Sequence, residues 1–216
     1  KIVVSESGIR DNQTVRRIGG HANAFLVGSQ LTSQPDIDLA ARRLVYGDNK
    51  VCGLTSWTAA QAARAAGAVY GGLIFEEASP RNVSRETAQN IIAHEPDLLY
   101  VAVSRRTSNI EELALDGIHA IQLHAPYQGS VETERALIEE ASKHSNHVWR
   151  AIDMTAPHAP ELVAALADVA DLLVLDTGSG GTGETFDWST VPAGIPALLA
   201  GGLNLTNLEQ ALAVGT

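Results

Sequence analysis

The chain alternates short apolar runs with longer stretches in which polar and apolar residues mix. The short runs are rich in aliphatic and β-branched residues and therefore predict strands. There are nine of them: Ile2–Val4, Ala24–Val27, Lys50–Cys52, Val69–Phe75, Leu98–Val103, Ala120–Leu123, Val148–Ile152, Leu172–Leu175 and Ala197–Ala200. From the third run onward, the spacing leaves room for a helix between most neighbours.

The intervening stretches carry helix signals. Val131–Ser142 places alternating charges around a few apolar positions, which is typical of a half-buried helix. Thr58 is expected to cap a helix over Ala59–Ala66, while Thr206 with Glu209 fits a capping box. Strand–helix alternation of this kind predicts parallel strands joined by helical crossovers.

Seven consecutive strand–helix units favour a (βα)8 TIM barrel, with an open doubly wound sheet as the alternative. The predicted class is α/β in either case, and the nearly all-apolar strands indicate a sheet covered on both faces. A turn at Tyr46–Asn49 predicts a junction between residues 1–47 and residues 48–216. Because the chain opens on a strand and closes on a helix, we expect it to be a fragment of a longer protein.

Composition narrows the classes of function. The 216 residues are 45% hydrophobic and carry a formal charge of −10, which argues against a nucleic-acid partner. No apolar run reaches the roughly 18 residues of a membrane span, and no secretory leader is recognisable, so a cytoplasmic protein is expected. The single cysteine rules out an internal disulfide and a cysteine-rich metal site. A small anionic substrate remains possible if a local cationic group holds it.

Cys52 ends the third predicted strand and is a candidate catalytic thiol. A lone cysteine is more often a small buried hydrophobe. However, Gly53 and Thr55 indicate that the strand leaves the sheet here, and barrels place their chemistry at the carboxyl ends of strands. Lys50 lies on the same face of the strand as Cys52, and its ammonium would favour the thiolate.

Asp176 ends an apolar strand in a carboxylate, which suits a general acid at a barrel mouth. A capping or turn aspartate is the plainer interpretation. The loop that follows contains glycines at 178, 180, 181 and 183, whose backbone can approach a ligand closely. Although this loop also satisfies the dinucleotide fingerprint, the residues after it are poor helix formers, so that function is not predicted.

Three further positions lie after predicted strands. Arg81 follows a proline turn and is suited to bidentate binding of a carboxylate. His124 is either a satisfied rim residue or a ligand contact. Gly201 and Gly202 offer free amides that lead toward a helix, a common phosphate site in barrels.

In order and spacing, these motifs resemble phosphoribosylanthranilate isomerase. The matching pieces are K-V-C-G-L-T, G-G-L-I-F with S-P-R, Q-L-H, L-D-T-G-S-G-G-T-G-x-x-F-D-W and L-A-G-G-L-N. The resemblance implies a (βα)8 barrel lacking its eighth unit, and an Amadori rearrangement of N-(5-phosphoribosyl)anthranilate in tryptophan synthesis. It implies that Asp176 is the acid and Cys52 the base, with no metal and no cofactor.

The same resemblance assigns the substrate contacts. It implies that Arg81 holds the anthranilate carboxylate, that Gly201 and Gly202 hold part of the phosphate, and that His124 touches the substrate. Ser104-Arg105-Arg106 departs from the F-R-N often found in the family, and Ala125 replaces the glycine that usually follows the histidine.

Residues 1–47 resemble the end of indole-3-glycerol-phosphate synthase, a carboxy-lyase. The resemblance makes Glu6, Ser7, Gly8, Gly28 and Ser29 remnants of its phosphate site, on the last two strand–helix units of a second barrel. The order of the two parts matches a bifunctional bacterial enzyme, which we expect to be monomeric. The segment lacks the catalytic lysines of the synthase, so this chain is not expected to have that activity.

Two other functions stay open at this point. A different phosphate-binding barrel, such as an aldolase or epimerase, would use a lysine or a metal rather than Cys52 and Asp176. A truncated fragment could also bind phosphate ligands without catalysing a reaction.

Overall fold

The computed structural model describes residues 1–178 and 183–214. It contains nine strands among these residues, each overlapping a predicted run, although β1 begins two residues later than expected. They are β1 Val4–Glu6, β2 Ala24–Leu26, β3 Lys50–Cys52, β4 Tyr70–Ile74, β5 Leu99–Ser104, β6 Ile118–Leu123, β7 Val148–Asp153, β8 Leu172–Asp176 and β9 Ala197–Leu199.

Eight α-helices lie between and after the strands in the described ranges. They are α1 Asn12–Gly19, α2 Ser29–Thr32, α3 Ile37–Tyr46, α4 Trp57–Ala65, α5 Arg85–His94, α6 Val131–Ser142, α7 Ala159–Leu166 and α8 Leu208–Leu212. Short 3-10 turns occupy Ile110–Leu113 and Trp188–Thr190.

Strands β3 to β9 form one sheet in sequential order, whereas β1 and β2 pair in a sheet of their own. The pairs β3–β4, β6–β7, β7–β8 and β8–β9 are parallel. A doubly wound sheet would break the sequential order where its direction of winding reverses. The order therefore supports the predicted α/β barrel with one unit missing.

Two of the predicted helix starts are wrong. Helix α4 begins two residues earlier than expected because Ser56, not Thr58, is its cap: the Ser56 hydroxyl accepts a hydrogen bond from the Ala59 N–H at 3.2 Å. Helix α8 has no side-chain cap, since Asn204 Oδ1 instead accepts from the Thr206 N–H at 2.9 Å and forms a turn before the helix.

The chain divides into two compact units, residues 1–73 with 83–100 and residues 74–82 with 101–216. The division near Gly47 that the sequence predicts stays a prediction.

In the first unit, Arg42 of α3 is buried and serves as a donor to backbone carbonyls. Its guanidinium donates to the Ala68 carbonyl, and to the Asp97 carbonyl at 2.6 Å. Its Nε also pairs with Asp38 at 2.9 Å, and Asp38 accepts in addition from Arg64 at 3.0 Å. Helix α3 is thus joined to the segments that lead into β4 and β5.

In the second unit, an apolar core lies between the sheet and helices α6 and α7. Its members from the sheet include Leu123, Ile152 and Leu175, which alternate with residues on the other face. The helices contribute Leu137, Ile138, Leu162, Val163 and Leu166. This packing fixes which face of β6, β7 and β8 is left for polar side chains.

A buried ion pair crosses this core layer. Arg150 of β7 meets Glu134 of α6 through two hydrogen bonds, Nε to Oε2 at 2.7 Å and Nη2 to Oε1 at 2.9 Å. The side chains of Arg150 and Glu134 are 3% and 0% exposed. The same guanidinium donates to the Leu123 carbonyl at 3.2 Å, and Glu134 accepts from the Gln128 N–H at 2.9 Å. The pair therefore holds both ends of the loop between β6 and α6.

Replacing Glu134 by alanine is expected to lower the free energy of unfolding by about 3–5 kcal/mol, because it leaves the Arg150 guanidinium buried without its partner charge. Urea denaturation followed by circular dichroism measures the loss. Glu139→Ala on the exposed face of the same helix is the matched control and is expected to change stability by less than about 0.5 kcal/mol. Equal losses in the two variants would contradict the prediction.

Candidate active site

Asp176 is the last residue of β8 and is only 7% exposed. Its Oδ1 accepts a hydrogen bond from the Thr177 N–H at 2.7 Å. The neighbouring strand β7 ends at the same level, with Asp153 in register beside Asp176. A buried carboxylate at the carboxyl end of a barrel strand is placed where this fold carries its chemistry.

His124 follows β6 and points toward Asp176. Its Nε2 lies 3.9 Å from Asp176 Oδ2 and 3.4 Å from the Gly178 carbonyl oxygen. The His124 N–H donates to the Ser104 carbonyl at 2.8 Å, which continues the strand pairing by one residue. The structure thus brings together two of the predicted site residues, from β6 and β8.

The turn after β9 packs directly against Asp176. Gly201 and Gly202 have φ values of +82° and +62°, in the left-handed region that favours glycine. A Cβ atom at Gly201 would lie 2.8 Å from Asp176 Oδ1 and 2.7 Å from Thr177 Oγ1. A Cβ at Gly202 would lie 2.6 Å from the Glu184 backbone. Glycine is required here for close approach as well as for its backbone conformation.

Two polar groups at this end of the sheet were missed from the sequence. The Thr177 hydroxyl is buried beside Gly201 and has no hydrogen-bond partner within the described residues. Asp153 accepts from the Thr155 N–H at 2.9 Å, and its Oδ2 lies 2.6 Å from the Cβ position of Gly178. Asp153 could have been found from the sequence, because like Asp176 it is a carboxylate that ends an apolar strand.

Arg81 lies on the exposed loop that follows β4. The loop is closed by a bridge between Ile74 and Asn82 and by a 2.8 Å hydrogen bond from the Glu76 N–H to Asn82 Oδ1. The Arg81 N–H donates to the Ser79 hydroxyl at 3.2 Å. The sequence correctly placed Arg81 after a strand, and its ligand contact stays a prediction.

Cys52, in the first unit, is the last residue of β3 and is half-buried. Gly72 on the adjacent strand β4 is its register partner, and a Cβ there would lie 2.7 Å from Cys52 Sγ. The N–H groups of Gly53 and Leu54 both donate to the Gly72 carbonyl, at 2.9 and 3.0 Å. The absence of a side chain at Gly72 therefore makes room for the thiol.

The residues that resemble synthase positions lie at the carboxyl ends of β1 and β2. Glu6 ends β1, and the two residues after it, Ser7 and Gly8, have φ values of +66° and +72°. Gly28 precedes helix α2, which begins at Ser29. All five residues are exposed, and their role as a phosphate site stays a prediction.

A groove of about 550 Å³ lies at the opposite ends of β6 and β7, lined by His119, Lys143 and His147 among others. It contains none of the predicted site residues. In residues 1–178 and 183–214, no group of histidine, cysteine, aspartate and glutamate side chains could hold a metal ion. Over the same ranges, no helix has the length and apolar character needed to cross a membrane.

The comparisons with known proteins divide the chain into two parts. Residues 49–216 match the model of the N-(5'-phosphoribosyl)anthranilate (PRA) isomerase family, and residues 1–44 match that of indole-3-glycerol phosphate synthase. The chain is 64% identical to the tryptophan biosynthesis protein TrpCF of Corynebacterium glutamicum, over 99% of the chain and 46% of the relative. The corresponding protein of Salmonella typhi is 39% identical over 99% of the chain and 46% of its own length. The chain thus spans about half the length of these curated relatives.

Solved structures agree with the family match. The phosphoribosyl anthranilate isomerase of Thermus thermophilus superimposes with a TM-score of 0.62 at 28% identity, covering 76% of this chain and 82% of its own. An isomerase solved in complex with reduced 1-(o-carboxyphenylamino)-1-deoxyribulose 5-phosphate gives a TM-score of 0.57 at 25% identity, covering 76% and 80%. Together with the sequential strand order, these similarities confirm the α/β barrel prediction.

Replacing Gly201 by alanine is expected to destabilise the protein in two ways. The left-handed backbone costs about 1–2 kcal/mol for an alanine, and the close approach to Asp176 and Thr177 adds about 1–3 kcal/mol of overpacking. Gly194→Ala is a matched control, because Gly194 has a φ of +78° but nothing within 4 Å of its Cβ position. Urea denaturation should show the larger loss for Gly201→Ala, and equal losses would contradict the close approach.

Proposed function

The chain belongs to the PRA isomerase family, and from that premise we propose that it carries a phosphoribosylanthranilate isomerase of tryptophan biosynthesis. The proposed enzyme is an intramolecular oxidoreductase that converts N-(5-phosphoribosyl)anthranilate into 1-(2-carboxyphenylamino)-1-deoxyribulose 5-phosphate. The observation that carries the proposal is the buried Asp176 carboxylate at the end of β8, with His124 and the Gly201 turn packed against it.

In the proposed mechanism, Asp176 is the general acid. Its proton moves to the oxygen of the furanose ring, the bond from that oxygen to C1' breaks, and the lone pair of the anthranilate nitrogen forms a double bond to C1', which gives a protonated imine. Burial at the end of an apolar strand supports this role, because the site limits competition from water. The Thr177 N–H already occupies Oδ1, which leaves Oδ2 as the oxygen that carries and transfers the proton.

Cys52 is proposed as the general base of the second step. The thiolate removes the proton from C2', the C–H electron pair forms the C1'–C2' double bond, and the electron pair of the C1'–N double bond returns to nitrogen. The resulting enaminol becomes the ketone when a proton is added at C1' and one is lost from the oxygen on C2'. Its place at the end of β3, with Gly72 leaving room beside the sulfur, supports this assignment. The steps transfer protons to and from Asp176 and Cys52 and shift electron pairs within the substrate, with no net oxidation or reduction, so the proposal includes neither a metal nor a cofactor.

The proposed substrate is a small phosphorylated anion, and cationic and amide groups are assigned to its charges. Arg81 holds the anthranilate carboxylate, because a guanidinium binds a carboxylate through two parallel hydrogen bonds. Gly201 and Gly202 bind part of the phosphate, and the lack of side chains in their turn supports this. His124 contacts the substrate beside Asp176.

Residues 1–44 support a further part of the proposal. We infer that the protein carrying this chain is bifunctional and also contains indole-3-glycerol-phosphate synthase, to whose phosphate site Glu6, Ser7, Gly8, Gly28 and Ser29 belong. The proposed protein is a monomer and acts in the cytoplasm.

Substituting either catalytic residue in the complete protein tests the proposal. Cys52→Ala and Asp176→Ala are each expected to lower kcat by at least about 100-fold, since a positioned acid or base contributes roughly 10²–10⁴. The loss of phosphoribosylanthranilate fluorescence measures turnover. Asp116→Asn, an exposed carboxylate before β6, is the control and should keep the wild-type rate.

Activity that survives both substitutions would contradict the mechanism and favour a different phosphate-binding barrel. A wild-type protein that binds the phosphorylated product without turning over the substrate would favour a non-catalytic phosphate-binding protein instead.

A further inference from the structure

We propose that Gln122 is a positioning residue that holds His124 as the neutral tautomer with its proton on Nε2. The inference rests on the proposed function for its effect on turnover, but the tautomer itself is a property of the free protein. It makes His124 a hydrogen-bond donor beside the catalytic acid and not a competing base.

The alternation of β6 places Gln122 and His124 on one face of the sheet. Leu123 between them points the other way and is fully buried in the core against the helices. Gln122 is 2% exposed, so its amide is fixed inside the protein and away from solvent. A buried amide of this kind needs hydrogen-bond partners, and His124 is one of them.

The contact between the two side chains decides which ring nitrogen is protonated. Gln122 Nε2 lies 3.5 Å from His124 Nδ1. An amide nitrogen can only donate, so His124 Nδ1 must accept and cannot carry the proton of the neutral ring.

The other side of the ring leads to the same conclusion independently. His124 Nε2 lies 3.4 Å from the Gly178 carbonyl oxygen, which can only accept. Its second neighbour is Asp176 Oδ2 at 3.9 Å. The Gly178 carbonyl requires a hydrogen on Nε2, and Asp176 Oδ2 accepts from the same hydrogen once it has released its proton. A doubly protonated ring would direct an Nδ1–H against the amide N–H of Gln122, and the geometry therefore favours the neutral form.

This tautomer suits the step assigned to Asp176. When Asp176 gives its proton to the ring oxygen of the substrate, negative charge develops on the carboxylate, and the nearby Nε2–H stabilises it. The opposite tautomer would present a lone pair at Nε2, which would repel that charge or take up the proton itself. The N–H also fixes the carbonyl of Gly178, at the start of the glycine-rich loop.

The test uses the complete protein labelled with ¹⁵N in its histidines. In the wild type, we expect the His124 signals to show a protonated Nε2 and an unprotonated Nδ1. The chain contains seven histidines, so the signals are assigned by their disappearance in His124→Asn. A wild-type spectrum with the proton on Nδ1 would overturn the proposal, whatever the activity of the protein.

Two variants then separate positioning from packing. Gln122→Glu keeps the shape but presents acceptors to Nδ1, so the proton should move there and kcat should fall by about 10- to 100-fold, a part of what a positioned acid contributes. KM should stay within about 3-fold, because the interaction develops in the transition state. Gln122→Met keeps the volume without a donor and should give mixed tautomers with a smaller loss.

If the His124 proton moves to Nδ1 in Gln122→Glu and kcat nevertheless stays unchanged, the role of the tautomer in turnover is refuted. If the wild type shows the expected tautomer but does not isomerise phosphoribosylanthranilate, the proposed function fails while the assignment of His124 stands.

Discussion

The buried ion pair between Arg150 and Glu134 is the constraint on which the arrangement of the second unit depends. Both side chains are removed from water, so neither charge is tolerated without the other. The pair also satisfies the Leu123 carbonyl and the Gln128 N–H at the two ends of one loop. His124 begins that loop, so the ion pair holds the backbone on both sides of the residue.

On the opposite face of the same strands, the aspartate side chains are held by closely packed glycine backbone and not by a partner charge. The turn at Gly201 leaves no space between its own backbone and the Asp176 carboxylate, while Gly178 lies equally close to Asp153. One oxygen of Asp176 is held by a backbone N–H and the other faces an imidazole. The two oxygens of one carboxylate are thus made inequivalent, which suits the general-acid role proposed for Asp176.

The strands could be predicted because a sheet covered on both faces leaves a continuous apolar run in the sequence. Cys52, Asp176 and Gly201 could be chosen as candidate site residues because each stands where one of those apolar runs ends. Helix starts were harder, because Ser56 and Thr58 are both good caps and only the local backbone path decides between them. The pairing of Arg150 with Glu134 gave no signal at all, since two charges 16 residues apart look like ordinary solvated positions. The two residues can be recognised as a pair only because both are buried, and their burial depends on how the sheet packs against the helices.

Helix α3 carries a consequence for how such a protein could evolve. Arg42 lies within the part of the chain that matches the synthase family, yet the carbonyls it satisfies, at Ala68 and Asp97, lie within the part that matches the isomerase family. Dividing the gene between the two parts would strip these carbonyls of their donor, at about 1–3 kcal/mol for each that stays buried. The segment that matches the isomerase family therefore depends for its stability on a side chain from the segment that matches the synthase family, and a cut between the two matches removes that support.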